Sequence, residues 1–500
     1  MSSFEDFYEN SKQLLMANHG EIEAKLIEKA FDFARKMHKN QTRKTKEPYD
    51  QHPIRVALKL AKLKADYETI CAALLHDVIE DCTCDEMTEE QMAQYIVEEF
   101  NLNIYKLVDS VTKFSPKDEH DVFHSNAQTI NKLLTSIIDD DIGVRAILIK
   151  LCDRDDNMET IYGHNDPIKE KKIAEETLNV YVPFATLFGL FDLKEKFEEQ
   201  SFRIINQIQY SSVQMKKNEL FSDLDFMNRL NDLRKSEIID LLISNNIPVK
   251  EVRLRDKGLY SIDRNIKDNK ASDITQVIDL ITYRIVIDSE DIKDLYAAMG
   301  IINQMYPILN GGQYAFRDYV SSPKNQLYNG LLTYNSLLFN GRQVQVHFEY
   351  QTPSMQEKSE IGIASYWNYD DMDAVSKMQE FVKKMAVYYF LNNLYKGYKH
   401  GAYNDEEFYC LAKKAIFSKR IYIKGPEFGL HEAYEGIELS DYLDFIQYPF
   451  NPDREICLVN DNVANRNMVL HNNDYIRIYS KEEGSRSSGN NGFFRTRGKK

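Results

Sequence analysis

The chain has 500 residues, 43% of them hydrophobic, so it is too long for one core and too apolar for a disordered polymer; three or more units are expected. It carries 63 Lys and Arg against 78 Asp and Glu, a formal net charge of −15. That balance argues against a general nucleic-acid surface, and it means that an anionic substrate must be met by locally gathered cations or by a metal ion. No run approaches the roughly 20 apolar residues that span a bilayer.

The N-terminal stretch MSSFEDFYENSKQLL is acidic and amphipathic and lacks a basic-then-apolar signal plan, so a cytoplasmic location is expected. Residues 1–205 read as helix almost throughout. In EIEAKLIEKAFDFARKM, Ile22, Leu26, Ala30 and Phe33 recur on one helical stripe. Further amphipathic runs cover 91–112, 127–138, 143–152 and 169–205, and Pro53 suits the first turn of a helix. A helical connector, 206–250, leads to a different texture. QVIDLITYRIVID (276–288) is rich in β-branched residues, KDLYAAMGIINQMY reads as helix, and RQVQVHFEYQ (342–351) alternates, with Val344, Val346, Phe348 and Tyr350 on one face. An α+β domain is expected over 251–395, a connector over 396–417, a small β-rich module over 418–480, and a disordered Gly/Ser-rich, then basic, tail over 481–500. The six cysteines form no disulfide framework. Cys82-x-Cys84 has no second pair and is not read as a zinc site.

The stretch TICAALLHDVIEDC (69–82) carries the chemistry. On a continuous helix His76 and Glu80 share one face, and Asp77 and Asp81 the next. A lone carboxylate here would be a solvated helix end. A cluster placed where the helix leaves the core is costly unless it meets a cation. QHPIRVA offers His52 at a helix start, and ILIKLCDRDDNM offers Asp153 after an apolar run. His52, His76, Asp77 and Asp153 make a mixed nitrogen and oxygen set suited to Mn²⁺ or another six-coordinate divalent ion, with Glu80 and Asp81 left to orient and deprotonate water.

An H…HD…D pattern on an all-helical domain resembles the HD phosphohydrolases. HPIRVALKLAKL, ALLHDVIED, VTKF, LIKLCDRDDNM and YVPFATLFGLFDLKEKFEEQSFR together resemble the hydrolase domain of the RelA/SpoT alarmone enzymes. The resemblance implies hydrolysis of the 3′-pyrophosphate of (p)ppGpp to GDP or GTP, within the stringent response. It implies that Arg43, Lys44 and Thr45 pack on guanine and ribose, with Asn157 and Thr160 as further nucleotide contacts. One departure stands out: Asp155, Asp156 and Glu159 occupy positions where the family has Leu, His and Arg. Acidic groups there should repel a polyphosphate unless they face away.

Downstream, RLRDKGLYSID resembles the family's ATP-binding segment, implying roles for Arg255, Lys257, Tyr260 and Ser261. Asp279 matches its Mg²⁺-binding acid, and Lys324 and Tyr328 fall in its acceptor-nucleotide loop. The family's catalytic Glu is replaced by His347 or Gln345, depending on the register, and Leu332 replaces a His. An inactive or very weak synthetase-like (nucleotidyltransferase-like) domain is expected, with Mg²⁺ relevant only if it works. The 418–480 module resembles a TGS (β-grasp) domain; the family's later regulatory modules have no counterpart here, which sets the reading against ribosome or tRNA sensing. The expected function is thus a metal-dependent (p)ppGpp hydrolase. The alternatives are a bifunctional synthetase/hydrolase, a non-catalytic nucleotide-binding regulator, and a hydrolase of another nucleotide.

Overall fold

Two helices buried along most of their length organise the N-terminal region. In the computed structural model, residues 4–81, 88–112, 128–134, 142–222, 224–268, 271–277, 279–309, 315–321, 327–339, 342–367, 373–418, 420–426 and 429–481 are described. The helix Tyr67–Leu75 is buried from Thr69 to Leu75, and Gly143–Glu159 is buried from Gly143 through Ile149. Each fully buried Leu or Ile contributes about 1.5–3 kcal/mol relative to exposure. Asp66 caps the first of these helices by accepting from the amide of Thr69 (3.1 Å). Gln51–Lys62 packs against both, so all three bring one end to a common place.

The stripe expected on Glu21–Met37 is corrected. Ile22 is 78% exposed, and the buried face is Ile27, Ala30, Phe31 and Ala34. Phe33 instead stacks on Tyr95 at 4.9 Å. The helix carries two overlapping apolar stripes, and the central helices take the one bearing the small alanines. Of the run 127–138, residues 128–134 are helical and the rest lie outside the described residues, as do Cys82, Cys84 and 482–500.

A five-stranded sheet follows, in the order β1 (Val249–Asp256), β2 (Ile281–Ile287), β5 (Arg342–Gln351), β4 (Leu331–Phe339), β3 (Phe316–Asp318). β2 and β5 run parallel and the other neighbours antiparallel. The alternation read in β5 sends Val346, Phe348 and Tyr350 into the core with Tyr283, Ile285 and Ile287 of β2. The opposite face is buried too from His347 onward, His347, Glu349 and Gln351 being 8%, 2% and 0% exposed, while Gln345 is exposed. Of the stretch 206–250, read as a connector, the later part joins this core through Phe226, Leu230, Leu233, Ile238 and Leu242, while Val213 packs with Leu259 and Ile262.

The helical region and the sheet meet where Gly189 and Gly362 touch. Both have positive φ (70° and 54°), and a Cβ on Gly362 would lie 2.2 Å from the Phe188 carbonyl oxygen. The Ile363 amide donates to that same carbonyl (2.8 Å). Only glycine fits there.

The chain divides into two compact units, Met1–Gln379 and Glu380–Lys500. Helices Ala386–Lys399 and Asp405–Phe417 therefore belong with the C-terminal strands rather than with the sheet or a connector. In that second unit β6 (Arg420–Lys424) pairs antiparallel with β7 (Leu430–Tyr434). β8 (Glu455–Val459) lies between β10 (Ile476–Ser480) and β9 (Asn462–Val463). Ile421, Ile423, Ala433, Tyr442, Cys457, Val459 and Leu470 form its core.

Candidate metal centre and second nucleotide face

His52, His76 and Asp153 come from three helices or their ends, and one ligand atom of each lies within 4.8 Å of the others. His52 Nε2 is 3.2 Å from Asp153 Oδ1, and His76 Nε2 is 4.0 Å from the same oxygen. Asp77 joins them, with Oδ1 3.2 Å from His76 Nε2 and Oδ2 3.7 Å from His52 Nε2. The sequence-predicted set is thus brought together.

The chemistry of these donors fits a divalent cation. His76 Nδ1 lies 2.8 Å from the Ala73 carbonyl, which fixes the proton on Nδ1. Among the described residues its Nε2 is buried with no hydrogen-bond partner. His52 Nδ1 is likewise held, 2.7 Å from Asp156 Oδ2. Both Nε2 atoms therefore aim at Asp153 and Asp77, an arrangement that imidazole ligands favour. Burial would raise the Asp153 carboxyl, but Lys150, His52 and His76 hold it well below the usual carboxylate range. Burial also acts against ionisation of Asp77, and His76 and His52 overcome it. Burial would lower the His52 pKa, yet Asp153 and Asp156 push it up to about 9, so a bound cation would take the place of the Nε2 proton. Two further groups position Asp153: Lys150 Nζ on Oδ2 (2.7 Å) and Asn157 Nδ2 on Oδ1 (2.6 Å).

The expected continuous helix through His76 is interrupted. Tyr67–Leu75 ends, His76 and Asp77 form a turn, and Val78–Asp81 resumes. His76 Nδ1 occupies the Ala73 carbonyl that an unbroken helix would give to the Asp77 amide. Glu80 and Asp81 are exposed beyond the turn. Burial and then Asp77 raise the Glu80 pKa. The Tyr49 hydroxyl donates to Asp81 Oδ2 (2.7 Å) and lies 3.0 Å from Asp77 Oδ2, tying the acidic pair to the ligand cluster.

The loop before His52 folds back on itself, the Arg43 amide donating to the Glu47 carbonyl (2.9 Å). Arg43 reaches Asp156 Oδ2 (2.9 Å) and Asn157 Oδ1 (2.5 Å), so it adjoins the candidate ligand cluster. Lys44 and Thr45 are exposed, and Thr45 packs so closely on Gly163 that a Cβ there would meet its methyl at 2.4 Å. Thr160 is turned inward, its hydroxyl donating to the Asp156 carbonyl (2.9 Å).

The acidic departures are neutralised internally. Asp155 meets Lys59 (2.6 Å) and Lys196 (2.6 Å), and Glu159 meets Lys59 (2.8 Å) and Lys196. Asp156 meets His52, Arg43 and Arg55. Sequence reasoning missed Tyr49, Arg55, Lys150 and the role of Asp156. Lys150 was accessible to it through its i,i+3 spacing from Asp153; the others pair across helices, with no spacing to reveal them.

On the sheet, the residues expected to hold a second nucleotide are paired with one another. Arg255 meets Glu195, Lys257 meets Asp279 (2.6 Å), and Glu349 receives both Arg284 (3.0 Å) and the Tyr328 hydroxyl. His347 stacks on Tyr334 at 4.4 Å beside Thr282, and burial lowers its pKa to about 4. Leu332 sits opposite Glu349. The Tyr260 amide donates to Glu199 Oε2 (3.3 Å), and Ser261 is half-buried on the helix Leu259–Lys267. Lys324 lies outside the described residues.

Comparison with known proteins places two families on this chain. One described as "HD domain" matches residues 30–191, and one described as "Region found in RelA / SpoT proteins" matches residues 254–374. A GTP pyrophosphokinase of Myxococcus xanthus is 28% identical over 96% of this chain and 60% of its own. A guanosine-3′,5′-bis(diphosphate) 3′-pyrophosphohydrolase of Aquifex aeolicus is 33% identical over 82% of this chain and 54% of its own. The bifunctional (p)ppGpp synthase/hydrolase SpoT of Escherichia coli is 29% identical over 87% of this chain and 58% of its own. The chain thus spans little more than half the length of these relatives. The small alarmone synthetase 2 of Bacillus subtilis has 19% identity and a TM-score of 0.25, over 37% of this chain and 98% of that one. Among the described residues no helix is long and apolar enough to cross a membrane.

Proposed function

Since the chain belongs to the RelA/SpoT family, we propose that its helical region is a divalent-metal hydrolase that removes pyrophosphate from the 3′ position of ppGpp or pppGpp, leaving GDP or GTP, and that its sheet region is inactive or very weak as a pyrophosphokinase. The observation that carries this reading is the convergence of two Nδ1-anchored imidazoles and Asp153 on one point. His52, His76, Asp77 and Asp153 would hold the cation, with Mn²⁺ suited to the mixed donors. When bound, such a cation lowers the pKa of water and draws charge from phosphorus.

The chain's own groups do the rest. Glu80 and Asp81 would take the proton of the attacking water, with Tyr49 donating to Asp81 Oδ2. Arg43, with Lys44, Thr45 and Asn157, would seat the guanosine; Thr160 supports the helix end behind them. The weak-synthetase reading is supported by β5. His347 is buried and, with its lowered pKa, uncharged at neutral pH, where a catalytic carboxylate is needed. Glu349, two residues on, is committed to Arg284 and Tyr328. The bifunctional alternative rests on Arg255, Lys257 and Asp279 being present together, with Mg²⁺ then required. We further assign 418–480 to a TGS module and the protein to the cytoplasm.

The test is to incubate the protein with ppGpp and Mn²⁺, and separately with ATP, GDP and Mg²⁺, and to separate products by ion exchange. GDP and pyrophosphate from the first and no alarmone from the second are expected. Robust synthesis in the second would establish the bifunctional reading, and intact ppGpp in the first would sink the hydrolase.

A further inference from the structure

Asp156 is fully buried, yet it carries a charge on a helix whose acidic end faces a proposed polyanion site. Its Oδ2 is met by His52 Nδ1 (2.7 Å), Arg43 Nη1 (2.9 Å) and Arg55 Nη2 (3.0 Å), and its Oδ1 by Arg55 Nε (2.6 Å). Arg55 is held in turn by Glu47 (2.8 Å). With four charge-assisted contacts the carboxylate has no freedom to swing round and become a ligand itself.

We propose that Asp156 is a positioning residue for the cation site: it pins the His52 imidazole with a proton on Nδ1 and so presents the Nε2 lone pair to the point shared with His76 Nε2 and Asp153. This rests on the metal-hydrolase reading. The two imidazoles are anchored by different acceptors, His76 by the Ala73 backbone carbonyl and His52 by a side chain. Only the second can be removed by substitution, and that asymmetry supplies an internal control. The acid that replaces the family's His thereby acts on the metal centre rather than on the nucleotide.

The experiment uses the full chain loaded with Co²⁺, whose histidine N–H protons give hyperfine-shifted proton NMR signals that vanish in D₂O when they exchange. The wild type should show two such signals. Asp156→Ala should lose one to rapid exchange and keep the other. Its affinity for Co²⁺ and for Mn²⁺ should fall about 10- to 100-fold. Asp155→Asn, which disturbs only the Lys59 and Lys196 pairs, should keep both signals and the affinity. If Asp156→Ala does not fold, the near-isosteric Asp156→Asn takes its place, with the one signal shifted and the affinity lowered. Unchanged signals and affinity in the Asp156 variant would overturn the proposal alone. A wild type without any shifted histidine signal would overturn the metal reading beneath it.

Discussion

Removing Asp153 should cost stability even with no metal present. Its side chain is 6% exposed and accepts from Lys150 Nζ (2.7 Å) and Asn157 Nδ2 (2.6 Å), with His52 Nε2 3.2 Å away. Asp153→Ala strands the Lys150 ammonium, whose side chain is 14% exposed, in a site with no other acid at salt-bridge distance from it among the described residues. An uncompensated buried charge of this kind costs about 3–5 kcal/mol. The double variant Asp153→Ala/Lys150→Met removes the stranded charge along with the acid and keeps the aliphatic stem. It should recover at least about 1–2 kcal/mol of the loss, a coupling typical of contacting residues. Urea unfolding followed by circular dichroism in EDTA measures both, and neither variant should hydrolyse ppGpp. A single variant as stable as the wild type in EDTA, or a double variant whose loss is the plain sum of its parts, would refute the reasoning.

Three other outcomes follow from the same geometry. His347 has a folded pKa of about 4 against 6.5 unfolded, so its neutral form is favoured by folding; stability is intact above pH 6.5 and falls toward pH 4, by up to about 3 kcal/mol. His347→Gln should flatten that part of a pH-dependent denaturation series, and an unchanged slope would count against it. Gly362→Ala forces a Cβ to within 2.2 Å of the Phe188 carbonyl at a backbone angle alanine avoids, and should cost about 3 kcal/mol or more, read as a lowered melting temperature. Arg43→Ala should raise KM for ppGpp by about 10-fold or more while leaving bound Mn²⁺ in place, since one charge-assisted contact is worth roughly 1.5–3 kcal/mol; an unchanged KM would remove Arg43 from the nucleotide site.

The candidate metal centre was legible because its members sit at helix ends that apolar periodicity locates: His52 in the first turn, His76 after CAALL, Asp153 after ILIKLC. The interruption at His76 was not, because nothing in a helical pattern tells whether a side chain will take its own helix's carbonyl. β5 was legible in its bounds and its alternation but not in its register, and its polar face was not seen to be buried; burial there depends on Arg284, which arrives from β2 only when the parallel pairing sets it beside Glu349. The stretch 206–250 read as a connector because its apolar residues have no partner until the sheet exists.

The acidic helix end shows how a chain of net charge −15 can approach a polyanion. Asp155, Asp156 and Glu159 are met by Lys59, Lys196, Arg55 and Arg43, drawn from two helices and a loop that pack around Gly143–Glu159. At an effective dielectric near 20, an opposite charge a few ångströms away offsets about 4 kcal/mol of Coulomb repulsion, so a paired acid projects little field into the site. Of these cations Arg43 alone also touches Asn157, beside the proposed nucleotide. A ligand phosphate competing for Arg43 would therefore draw it from the same Asp156 oxygen that holds His52, leaving Arg55 to keep that carboxylate in place.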